Sequence, residues 1–151
     1  MKLAEALAER ADIRMRIDQL GTRLEQNARV QEGERPAEDP EELSAELEAL
    51  CDRMETLMTR INLTNARTVS EGETLTALLA RRDCLTLRVN TMRVFLHEAG
   101  ALTSRGTRSE IRVLSTVDVR EYRKRTDELS RALRELDVRI QGLNWTTELL
   151  D

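Results

Sequence analysis

The run DPEELSAELEALCDRMETLMTRI, residues 39–61, decides the fold class. Within it Leu43, Leu47, Leu50, Met54, Leu57 and Ile61 recur every three or four residues. That spacing lays one apolar stripe along a helix. The start is signalled as well. Asp39 can cap, Pro40 fits the first helical position, and Glu42 completes a capping-box-like pattern. A helix is expected over about 40–67.

The same spacing continues on both sides. Upstream, about 2–29 reads as a helix with Leu3, Leu7, Ile13, Ile17, Leu20 and Leu24 inward. One alternative seam there runs through Leu3, Ala6, Arg10, Ile13, Ile17 and Leu20, and another through Leu7 and Ala11 leaves Arg10 at the boundary. Gly21 interrupts this helix, which reads as a place where another backbone comes close. Downstream, about 74–99 carries Leu75, Leu78, Arg82, Leu85, Val89, Met92 and Leu96. The last helix, about 116–142, carries Tyr122, Thr126, Leu129, Leu133, Leu136, Ile140 and Leu143, with Ser115 or Thr116 as its cap. Cys51 and Cys84 flank stripe leucines and are expected to pack as small apolar residues.

Four long heptad-like helices of similar length imply an all-α protein: an elongated antiparallel four-helix bundle, one domain over 1–151. The alternative is the same helices exchanged between subunits in a larger coiled-coil assembly. Residues 30–39 hold both prolines and read as a mobile acidic loop, while Gly72 turns the short connection over 68–73. The long connection over 101–115 contains a β-like run, Ile111-Arg112-Val113-Leu114. It could pair with Arg67-Thr68-Val69, or with its copy in another subunit.

Composition narrows the chemistry. The 151 residues include one histidine and two cysteines, and aromatics make up 2%. No Cys pair or His set matches a zinc or di-metal site, so no metal and no cofactor are expected. The net charge of −4 does not favour general nucleic-acid binding, and stacking platforms are missing. No segment approaches the 18 apolar residues of a membrane span. The N-terminal stretch has Glu5 and Glu9 where a signal peptide is apolar, so a reducing cytoplasm is expected. Charge falls in blocks: nine acids against Arg35 over 31–52, and seven bases against three acids over 105–125. Their opposite signs suggest that they face each other within or between subunits.

Two constellations carry the functional expectation. Arg82 sits at a stripe position of the third helix, and Arg10 sits on one seam of the first. In an up-down bundle the same end collects Asn62, Asn65, Arg67, Asn144 and Trp145. Arginines and asparagines at a bundle mouth could hold a phosphate or carboxylate, and Arg82 could equally pair with Glu55 or Asp137. Arg93 and His97 share a helix face, but the spacing is short for helical RNases and His97 suits the helix C-terminal dipole. Leu143, Trp145, Leu149 and Leu150 read as a terminal segment that docks onto its own bundle, with a neighbour as the alternative.

The segments Val30-Gln31-Glu32-Gly33-Glu34, Pro36-Ala37-Glu38-Asp39-Pro40, Leu75-Thr76, Arg81-Arg82-Asp83 and Asn144-Trp145-Thr146-Thr147 stand in order along the chain. Together they resemble a family of small uncharacterised bacterial proteins, some labelled septicolysin. The label implies lysis of membranes, and the resemblance implies no catalytic residues. The residues themselves point to a non-catalytic, self-associating cytoplasmic helical protein. The alternative is a site for a phosphate- or carboxylate-bearing ligand at the Arg10/Arg82 end.

Overall fold

The computed structural model describes residues 1–101 and 112–151. The fold is an all-α helical bundle of four helices, α1 (Leu3–Gln26), α2 (Pro40–Arg67), α3 (Leu75–Gly100) and α4 (Val119–Thr146). One short β pairing, β1 (Val69–Ser70) with β2 (Glu73–Thr74), lies between α2 and α3. Two compact units divide the chain: residues 1–75 with 142–151, and residues 76–141.

In the first unit α1 and α2 bury Leu3, Ala6, Ile13 and Leu20 against Leu43, Leu50, Leu57, Ile61 and Thr64. Arginines and carboxylates spaced seven residues apart on α1 fasten it to α2 and, at Glu38, to the segment just before α2. Glu9 takes Nε and Nη2 of Arg53 at 2.7 and 2.9 Å. Arg16 reaches Glu46 at 3.3 Å, and Arg23 grips Glu38 through both Nε and Nη2. Partners on α2 descend as those on α1 ascend, so the two helices run antiparallel.

Local chemistry fixes the helix ends. Asp39 Oδ1 accepts the Glu41 N–H at 3.0 Å behind Pro40, which starts α2. α1 stops at Gln26 because Asn27 turns back on it. The Asn27 Nδ2 donates to the Arg23 carbonyl, and its Oδ1 accepts the Glu38 N–H at 3.0 Å. The connection after α1, expected to be a mobile acidic loop, is thereby tied to α1 at its far end. α4 is capped by Asp118, whose Oδ1 accepts the Glu121 N–H at 3.2 Å. Ser115 and Thr116 precede the helix. Ser115 instead closes a local turn with Val117, because an aspartate three residues nearer Glu121 holds the orphan N–H.

The β pairing differs from the expected one. Val69 faces Thr74 and Ser70 faces Glu73, with Glu71 at φ 51° and Gly72 at φ 81° between them. Two successive left-handed residues make the tight turn whose twist matches paired strands. Arg112–Leu114 forms no strand, and Val113 and Leu114 are exposed; Ile111 lies outside the described residues. So does the 105–110 part of the basic block.

Three expectations about packing change. Cys51 and Cys84 are both exposed rather than packed. A Cβ at Gly21 would meet nothing within 4 Å, so no backbone approaches it among the described residues. The terminal segment does dock, but through Leu149 rather than Trp145. Leu149 is buried, its N–H donates to the Met1 carbonyl at 2.9 Å, and Arg60 bonds the Leu150 carbonyl at 2.7 Å. Trp145 is 62% exposed, because the 3.6-residue period turns it away from buried Asn144.

Candidate functional site

Among the residues expected to form an anion site, Arg10 lies exposed on α1, and Asn62 and Arg67 are exposed on α2. Asn65 is half-buried, Asn144 is buried and Trp145 is exposed. Arg82 belongs to the second unit. Its Nε and Nη2 both donate to Asp83 Oδ1, at 3.0 and 2.8 Å, rather than to Glu55 or Asp137. Among the described residues no hydrogen bond or ion pair joins any two of the six that lie in the first unit. The acids of the 31–52 block also find other mates. Arg23 of α1 engages Glu38, and Arg16 and Arg23 both approach Glu46. Among the described residues no three His, Cys, Asp or Glu side chains gather as a metal would require.

The second unit has a different feature. Its buried residues include Leu78 and Val89 of α3 and Leu136 and Ile140 of α4. Two hydroxyls are buried with them, each satisfied one turn back: Thr126 donates to the Tyr122 carbonyl and Ser130 to the Thr126 carbonyl. Arg93 crosses from α3 to Ser130 at 3.4 Å, which draws it away from any partnership with His97. Near the loop ends of the two helices, the Phe95 and Tyr122 rings tilt together at 5.5 Å, with the Arg125 guanidinium over Tyr122 at 5.2 Å.

α3 carries a second apolar stripe that sequence reading passed over. Ala80, Cys84, Leu87, Thr91 and Val94 follow a strict four-three alternation, and all five are exposed. At about 100° per residue this stripe lies roughly opposite the covered one, made of buried Leu78 and Val89 and half-buried Leu85 and Leu96. Leu87 and Val94 are each 68% exposed. The signal was in the sequence, as a second set of positions at the same period. It was hidden because one stripe already satisfied the helix assignment. Beside this stripe a groove of about 650 Å³ opens between α3 and α4, lined by Leu87, Arg88 and Thr91 on one side and Tyr122, Arg125 and Glu128 on the other.

Electrostatics in the first unit is structural. The Arg53 hydrogen bonds hold the Glu9 carboxyl below its ordinary range, and Arg23 does the same for Glu38. Glu148 is lowered by Lys2 and then by the chain's terminal amine. Among the described residues no helix is long and apolar enough to cross a membrane.

A model of a family described as being of unknown function, DUF6847, matches residues 10–149. The chain is also similar to a functionally unknown conserved protein from Corynebacterium diphtheriae, known from a crystal structure. The two are 44% identical, the match covers 99% of each chain, and the TM-score is 0.94. No curated protein matches the chain. Neither description mentions lysis or catalysis. With a family match running from Arg10 to Leu149, the chain belongs to the family of unknown function DUF6847.

Proposed function

We propose that this protein is a non-catalytic helical protein that associates with itself through α3. The observation behind this is the second apolar stripe on that helix, opposite the covered one and left in solvent. A helix that is apolar on two opposed faces is ordinarily covered on both. A stripe with alternating four-three spacing fits a partner helix of the same pitch, with side chains set into the spaces of the facing helix. The exposed thiols of Cys51 and Cys84 suit a reducing compartment.

Light scattering after gel filtration, at low and high salt, tests the reading. The wild-type chain is expected to run as a dimer at micromolar concentration. The double variant Leu87→Glu, Val94→Glu is expected to run as a monomer with unchanged helical circular dichroism. A wild type that is monomeric at both salt concentrations would refute self-association.

A further inference from the structure

We infer that two copies pair along the α3 stripe in antiparallel fashion, about a two-fold axis that crosses the stripe between Leu87 and Thr91. This inference rests on the self-association proposed above and adds the partner's orientation to it. The stripe reads Ala80, Cys84, Leu87, Thr91, Val94, Glu98. Set antiparallel about that axis, Leu87 faces the partner's Thr91, Cys84 faces the partner's Val94, and Ala80 faces the partner's Glu98. Every layer then joins a larger side chain to a smaller one, which keeps the helix spacing even.

Polar pairing agrees with size, since a carboxylate can accept from an imidazole N–H. Asp83 flanks the stripe on the same side as His97, and its side chain is 67% exposed despite its bond to Arg82. The antiparallel setting brings Asp83 opposite the partner's His97 twice, once on each side of the axis. A parallel setting instead stacks Glu98 on Glu98 at a stripe position and alternates broad layers (Leu87 on Leu87) with narrow ones (Ala80 on Ala80). Like charges at facing positions count against it. Antiparallel pairing has one like-charge contact, between the two copies of Arg88 near the axis. Glu128 lines the same groove as Arg88, so a carboxylate is at hand on each copy.

Disulfide trapping separates the orientations, because the chain's two cysteines are Cys51 and Cys84. In the antiparallel pair the two Cys84 residues lie about 15 Å apart along the helix axis, counting ten residues at the α-helical rise. That is too far to bridge, since a disulfide needs Cα atoms within about 7 Å. The full chain carrying Cys51→Ser and Val94→Cys would be oxidised with copper phenanthroline and run on a non-reducing gel, with Cys51→Ser alone beside it. Most of the Val94→Cys chain is expected as a linked dimer and the control as a monomer band. Efficient linking of the control through Cys84 would overturn the antiparallel setting in favour of the parallel one. No linking in either, with light scattering still showing a dimer, would overturn it while leaving self-association standing. A chain that scatters as a monomer throughout overturns both.

Discussion

Replacing Leu87 by alanine and replacing Leu57 by alanine remove the same atoms from two contrasting sites. Leu57 is 0% exposed between α1 and α2, so its loss leaves a cavity that costs about 2.7–5 kcal/mol at any protein concentration. Leu87 is 68% exposed in the single chain. If the chain stays alone, Leu87→Ala changes stability by no more than about 0.5 kcal/mol, as for surface changes generally. If a second copy covers the stripe, the exposed two-thirds of a leucine becomes buried. Full burial is worth about 1.5–3 kcal/mol, which gives roughly 1–2 kcal/mol per copy and about 2–4 kcal/mol per dimer. The dimer dissociation constant should then rise about 30- to 1,000-fold. Sedimentation equilibrium measures that constant directly. Urea unfolding over a hundredfold range of protein concentration gives an independent reading, because association with the folded state makes stability concentration-dependent. A Leu87→Ala effect that stays within about 0.5 kcal/mol at every concentration, beside a Leu57→Ala chain that behaves as expected, would sink the reasoning.

Two further outcomes follow from the first unit. Gly21→Ala should raise stability by about 0.5–1 kcal/mol, since the helix interior there has ordinary φ and room for a Cβ; a loss of stability in urea unfolding would show that something does approach Gly21. Glu9, Glu38 and Glu148 have folded-state pKa values below their ordinary ones, so their contribution is fully present above the unfolded carboxylate value of about 4.3 and is lost as pH falls through the lower folded values. The melting temperature of the wild type should therefore fall more steeply below that pH than the melting temperature of a chain carrying Glu9→Gln, Glu38→Gln and Glu148→Gln. Parallel curves would show that these pairs do not contribute.

The parts of the fold legible in the sequence were those written as a repeat. The run from Leu43 to Ile61 announces α2 because burial on one face of a helix imposes a period that survives any detail of the partner. The hairpin at 69–74 left no period, since its strands are two residues long; its signal was the Glu71-Gly72 pair, whose left-handed conformation only the folded turn makes plain. Charge was harder to read than hydrophobicity. Glu38 and Glu46 belong to an acidic block, yet their mates are Arg16 and Arg23 of α1, because an ion pair depends on which side chains arrive within a few ångströms and not on the balance of a segment. Trp145 misled for a related reason. A large aromatic invites burial, but the helical period gives the inward position to Asn144 and leaves the docking to Leu149. The second stripe of α3 is written in full in the sequence, but one apolar stripe is enough to specify a helix, so the second bears only on what the helix surface meets.

The fasteners between α1 and α2 also decide where the two helices can rest. An apolar stripe that repeats every seven residues is nearly indifferent to a slip of seven residues, since leucine meets leucine again. The charged residues are not indifferent. Along α1 their signs run negative, positive, positive at Glu9, Arg16 and Arg23, and the facing signs run positive and negative at Arg53 and Glu46 of α2 and negative at Glu38 just before it. Moving α1 one heptad along α2 keeps Arg23 beside Glu46, which already lie 3.8 Å apart, but drives Arg16 onto Arg53. A rail of uniform sign would tolerate the slip. The single reversal at Glu9 makes the hairpin's alignment unique, so pairs worth little to stability can still choose between otherwise equivalent dockings of the same two helices.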